Sequence, residues 1–262
     1  MELGLRHRVA LVATVFATSE GASYITGVTR LGKQRTDARS LLKPGLEFTA
    51  RRVTSEVAVP SFDHEAWGRA RAAHITRYWS GAPAPAWRHA EARAIWSDEA
   101  LTVRFVCRQA EPLVIAEAPC LSEKSIGLWD RDVCEMFVAP DARQTPDEYF
   151  EFEAAPTGEW LDLGIRHTPS GRETDWHYDS GMIAAARVAT DSVTIMIRVS
   201  WGAFGRVEPK AGERWRVNLF RCVGTGGGRG YLAWQPTRTP QPNFHVPKAF
   251  GWLLFEGMKN EE

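Results

Sequence analysis

Apolar residues in this chain recur at every second position more often than at every third or fourth. Val193, Ile195, Ile197 and Val199 alternate in this way, which puts them on one face of a half-buried strand. Met182–Ala189 and Val193–Val199 flank Thr190-Asp191-Ser192 and read as a hairpin. Ala90–Trp96 and Leu101–Arg108 do the same around Ser97-Asp98-Glu99-Ala100. Tyr149–Ala155 and Trp160–Gly164 flank Pro156-Thr157-Gly158-Glu159, a turn-forming stretch. Val133–Val138, Arg214–Cys222, Tyr231–Trp234 and Trp252–Phe255 complete about ten short strands.

Helical signal is confined to one place, where Asp63 can cap a brief helix through Trp67 and Ala70. Without βαβ alternation there is no case for a doubly wound nucleotide fold. The expectation is an all-β, antiparallel sandwich over residues 47–258 with a short helix near its start. Residues 1–46 stand apart. Arg6, His7 and Arg8, then the apolar run Val9–Ala17, then Gly21-Ala22-Ser23 have the order of a secretory signal. An upstream extension or a mis-called start is the other reading. The first implies a secreted or periplasmic protein and the second a cytoplasmic one. From Gly27 to Leu46 the chain is polar and basic, with Arg30, Lys33, Arg35, Arg39 and Lys43, and reads as a disordered linker. No stretch is long enough to form a transmembrane span.

Composition narrows the function. The 262 residues carry a formal net charge of +0, so no overall field favours nucleic acid. Eleven tryptophans exceed what a core of this size needs and suggest an aromatic-lined recognition surface. The four cysteines, Cys107, Cys120, Cys134 and Cys222, have no CxxC spacing for zinc; disulfide pairing stays open. The glycine-rich run Gly224–Gly230 lacks a following GK[ST] and precedes strand-like Tyr231–Trp234, so it is a hairpin loop rather than a phosphate loop. Neither HExxH nor GxSxG occurs.

Candidate chemistry gathers in Leu128-Trp129-Asp130-Arg131-Asp132-Val133-Cys134-Glu135-Met136-Phe137-Val138. A core strand has no packing use for Asp132 or Glu135 unless they are paired or face a wet cleft. A large aromatic face beside carboxylate acceptors suits a sugar, whose ring stacks while its hydroxyls donate. Glu151 and Glu153, two apart on one strand, share a face. That suits solvation, calcium, hydroxyl recognition or catalysis equally.

The order of these pieces resembles the family-9 carbohydrate-binding modules and the wider DOMON-like β-sandwich group, from about Arg51 to Phe255. The resemblance rests on Ile95-Trp96-Ser97-Asp98-Glu99-Ala100-Leu101-Thr102-Val103-Arg104-Phe105 and on Trp129-Asp-Arg-Asp132-Val-Cys-Glu135-Met-Phe137. It extends to Trp215-Arg-Val-Asn218, Trp234-Gln-Pro-Thr237 and Phe244-His-Val-Pro-Lys-Ala-Phe250-Gly251. It implies a jelly-roll sandwich that binds a mono- or oligosaccharide at one end without catalysis, in support of glycan breakdown. Trp129 and Phe244 would clamp the ring, and Glu135 would accept from hydroxyls. The family's arginine and glutamine contacts fall on Glu153 and Phe220, so Asn243, Arg221 or Glu153 would have to substitute. Family members often carry calcium, which makes Asp132 either a loop brace or a contributor to a structural calcium site. The DOMON-like group also includes b-type haem binders, for which Met136 and His245 are the candidate ligands. Glycoside hydrolysis is a third reading, but no second acid/base residue can be named beside Glu135.

Overall fold

Residues 46–258 are described by a computed structural model; the signal-like run and the basic linker lie outside the described residues. The chain enters with β1 (Glu47–Arg52) and a single four-residue helix, α1 (Ala66–Arg69). Two short strands follow, β2 (Ala73–Ile75) and β3 (Arg77–Tyr78), and then the hairpin of β4 (Ala90–Trp96) and β5 (Ala100–Arg108). A meander comes next: β6 (Val133–Ala139), β7 (Glu148–Ala154), β8 (Trp160–Thr168) and β9 (Gly171–Asp175). The hairpin of β10 (Ile183–Val188) and β11 (Ser192–Ser200) precedes β12 (Arg214–Val223), β13 (Gly230–Ala233) and β14 (Gly251–Glu256). The hairpins expected from the sequence are present, including the glycine-rich β12–β13 loop, where Val223 pairs with Gly230.

The strands form one sheet in the order β10-β11-β5-β4-β1-β14-β12-β6-β7-β8-β9. It folds over on itself. Phe105 and Ile197 from one half and Met136, Phe152, Trp215 and Leu219 from the other share a single core, as in a sandwich. The sheet is mixed rather than wholly antiparallel. At the bend β1 runs parallel to both β14 and β4. An antiparallel hairpin needs only a short turn, and the sequence shows such turns; β1 instead reaches its partners from far along the chain, which leaves no local signal.

The half built from β12, β6, β7 and β8 has a second apolar layer on its other face. Phe137, Tyr149, Leu161, Leu163, Ile165, Phe220 and Phe250 belong to it. Every residue of β6 is therefore buried. Helix α1 covers the outer side of the opposite half, where Trp67 packs with Ile95 and Met196. Asp63 does not cap it. The cap position is Glu65, without a side-chain cap bond, and Asp63 pairs with Arg187 at 2.5 Å. The four cysteines are free; the Cys107 and Cys134 sulfurs lie 3.3 Å apart in the core.

Trp215 holds the two halves together from β12. It is fully buried and meets Trp201, Phe204 and Phe255 edge to face. Replacing such a ring with Ala leaves a cavity that the sheet cannot close. Trp215→Ala is expected to cost about 3–5 kcal/mol in urea unfolding with an unchanged m-value. A loss below about 1 kcal/mol would contradict this packing role.

Candidate functional site

The strand pleat sorts β6 into two sets. Cys134, Met136 and Val138 enter the main core. Glu135 and Phe137 point the other way, into a cleft of about 580 Å³. The cleft lies across the face of β6–β9 that is turned away from the main core. Its lining includes Trp129, Glu135, Glu151, Arg172, Trp176, Tyr231, Asn243, Phe244 and His245. That volume falls in the range of small-molecule sites, roughly 300–1,000 Å³.

Trp129 stands on a one-turn 3-10 segment, Leu128–Asp130. Gly127 starts the turn at φ +80, a left-handed conformation that glycine adopts without strain. Leu128 plugs the second apolar layer. Arg229 locks the turn from the glycine-rich loop: its guanidinium donates to the carbonyls of Trp129 at 2.5 Å, Arg131 at 2.7 Å and Gly224 at 2.8 Å. Trp129 is thus held by backbone bonds while its ring remains half-exposed beside Trp176.

Phe244 lines the same cleft, but one of its faces is taken. It stacks on Phe220 with centroids 4.0 Å apart and planes at 10°, and Tyr231 meets it edge-on. Trp129 lines the same cleft, and among the described residues no ring contact joins it to Phe244. Trp176, 46 % exposed on the polar segment after β9, is an aromatic that sequence reasoning missed. No alternating pattern marks that stretch; only the surplus of tryptophans hinted at it.

The floor is acidic. Cross-strand pairing sets Glu135 opposite Glu153 and Phe137 opposite Glu151, so Glu135, Glu151 and Glu153 share one face. Their carboxylate oxygens come within 4.8 Å of one another, and all three are buried. Glu135 Oε1 accepts from the Cys222 thiol at 3.3 Å. Glu151 Oε2 and both oxygens of Glu153 have no hydrogen-bond partner. Burial pushes Glu151 up to about 6, and burial with repulsion from neighbouring carboxylates pushes Glu135 up to about 8 and Glu153 well above the ordinary range.

His245 closes one side. Its Nδ1 shares a hydrogen bond with the Tyr149 hydroxyl at 2.9 Å, and its Nε2 is 3.8 Å from Glu151. Burial, aided by Arg172 and His167, lowers it to about 3, so the ring is neutral. Asn243 reaches the rim, where its Oδ1 accepts from the His245 backbone N–H.

Two expectations fail on geometry, and Asp132 takes the first of its two expected roles. Arg221 does not line the cleft: as an odd-numbered residue of β12 it faces the core side and donates to the carbonyls of Arg88 and His89 and to Gln109 Oε1. Met136 and His245 lie on opposite faces of β6, so they cannot ligate one haem together. Asp132 is a loop brace, with Oδ1 accepting from Gly224 N–H at 2.9 Å and Oδ2 from Gln109 at 3.4 Å. Burial raises its pKa against the pull of these bonds. Among the described residues no His, Cys or carboxylate cluster gathers at Asp132; the only such group is the Glu135–Glu151–Glu153 floor.

The buried trio has a measurable consequence. A carboxyl whose folded pKa is raised favours the fold while protonated, and that contribution is lost as pH rises through the folded value. Each extra proton held by the fold makes stability fall by about 1.4 kcal/mol per pH unit. Glu153→Gln removes one such group. Without ligand, the variant should gain stability over the wild type, and the gain should grow from about pH 5 to about pH 8. A difference in urea midpoint that stays constant with pH would contradict the assignment.

The comparisons with known proteins agree with this architecture. The model of carbohydrate-binding family 9 matches residues 182–255, from β10 to β14, a span that contains Tyr231, Asn243, Phe244 and His245. A candidate carbohydrate-binding protein from Bacteroides uniformis superposes with a TM-score of 0.63 at 20% identity, covering 80% of this chain and 99% of that one. A family 9 module from Caldicellulosiruptor kristjanssonii in complex with glucose gives 0.56 at 12% identity, covering 82% and 98%. A family 9 module from the same organism in complex with cellotriose gives 0.54 at 13%, covering 82% and 95%. No curated protein matches the sequence. At these identities the likeness is one of fold, and the family match spans the C-terminal strands of that fold.

Proposed function

We propose that this protein binds a saccharide, without catalysis, in the cleft between Trp129 and Phe244. The observation that carries the reading is the cleft itself: half-exposed aromatic rings held rigidly above buried carboxylates. Trp129 and Trp176 offer apolar ring faces to the C–H side of a pyranose. Glu135, Glu151 and Asn243 offer acceptors and donors to its polar edge. The match to family 9 and the fold shared with modules solved with glucose and cellotriose support the same reading.

The competing readings lose support from the geometry. Haem binding lacks a paired Met136 and His245. Glycoside hydrolysis needs two carboxyls flanking the scissile bond, whereas Glu135, Glu151 and Glu153 form one patch on one floor.

The test is calorimetric titration with a panel of neutral and amino mono- and oligosaccharides. At least one should bind, and Trp129→Ala should weaken it by at least about tenfold, or 1.4 kcal/mol. Failure of every sugar to bind, or affinity unmoved by Trp129→Ala, would overturn the proposal.

A further inference from the structure

The cleft floor is costly as plain protein. Three carboxylates lie within 4.8 Å of one another at 2%, 3% and 0% exposure for Glu135, Glu151 and Glu153. Among the described residues, no Lys or Arg forms an ion pair with any of them. Arg172 and Arg229 act only at longer range. The nearest basic ring, His245, is neutral. Carboxyls buried without donors or counter-charge destabilise a fold, and apolar residues of similar size would serve packing better. Glu153 is the clearest case, fully buried with both oxygens unpartnered and next to the two glutamates that line the cleft. The missing partner is a cation, and the cleft is its way in.

The remaining lining selects the kind of cation. A hard divalent ion takes about six to eight oxygens for calcium, or octahedral water-rich coordination for magnesium. Here the trio is the only group of carboxylate, His or Cys ligand atoms within 4.8 Å of one another among the described residues, three side chains where such an ion needs six or more oxygens. Much of the lining is apolar, with Phe137, Leu163 and Ile165. The walls are aromatic, from Trp129, Trp176, Tyr231 and Phe244, surfaces that favour an organic cation through both ring contact and cation–π attraction. Charge agrees. Glu135, raised to about 8, and Glu151, raised to about 6, line the cleft together with Asp130, so the lining carries negative charge at neutral pH that an ammonium offsets.

Resting on the saccharide reading above, we infer that the preferred ligand is a sugar with a free amine, a hexosamine unit alone or in a deacetylated chain, whose ammonium sits on Glu135, Glu151 and Glu153. The ring then lies against Trp129 and Trp176, with the amine donating N–H bonds to floor oxygens, of which Glu151 Oε2 and both of Glu153 have no partner in the protein.

The test compares glucosamine and glucosamine oligosaccharides with their N-acetylated forms, with glucose and with cello-oligosaccharides, by titration of the full chain near neutral pH. N-acetylation removes the charge from the ligand and leaves the protein untouched. The amine forms are expected to bind at least about tenfold more tightly. Glu151→Gln, which removes the ionised carboxylate at the cleft and is checked for an unchanged circular dichroism spectrum, should bring that preference to within about threefold. If neutral and N-acetylated sugars bind as well as the amines, this inference falls while saccharide binding stands. If no sugar binds, the saccharide reading itself falls. Calcium or manganese binding that Glu153→Gln abolishes, with no amine preference, would make the floor a metal site and overturn the inference.

Discussion

The molecule depends on one constraint, the register of β6 against its neighbours in a sheet that is buried on both faces. Because side chains alternate, a strand with two covered faces must satisfy two environments at once. In β6 the even-numbered residues Cys134, Met136 and Val138 serve the main core, while Glu135 and Phe137 serve the second layer. Pairing of Glu135 with Glu153 then fixes where the acid floor falls. A slip of one residue would bury Met136 in the cleft and send Glu135 into the core between the halves.

Around that register the site is built from remote pieces. The Leu128–Asp130 turn brings Trp129 over the floor, and Arg229 ties it to the glycine-rich loop a hundred residues on. The segment Asn243–His245 arrives from beyond β13 and rests on Phe220 and Tyr149. The walls are therefore held by stacking and backbone bonds rather than by the ligand, an arrangement that lowers the ordering cost of binding. The floor is different: Glu151 Oε2 and both oxygens of Glu153 are left without hydrogen-bond partners.

Much of this was legible in the sequence. The period-2 runs and turn residues located the hairpins, and the carboxylate-bearing strand after Trp129 announced a site. What escaped was non-local. The parallel pairings of β1 have no turn to mark them. β9 carries only polar residues and exists because β8 offers it an edge. Arg221 was misplaced because a motif position does not reveal which face of β12 it occupies, whereas counting parity from buried Trp215 and Val217 would have put it in the core. Glu151 was visible as the face-mate of Glu153, but its closeness to Glu135 is a property of cross-strand register. Trp176 gave no signal beyond its residue type.

The central claim is that the face of β6–β9 is a saccharide site with an acidic floor. A crystal structure of the protein grown or soaked with a saccharide tests it most directly. The account predicts a sugar ring against Trp129, with its polar edge within about 3.2 Å of a carboxylate oxygen of Glu135 or Glu151. A sugar bound elsewhere on the molecule, with this cleft holding only solvent, would contradict it.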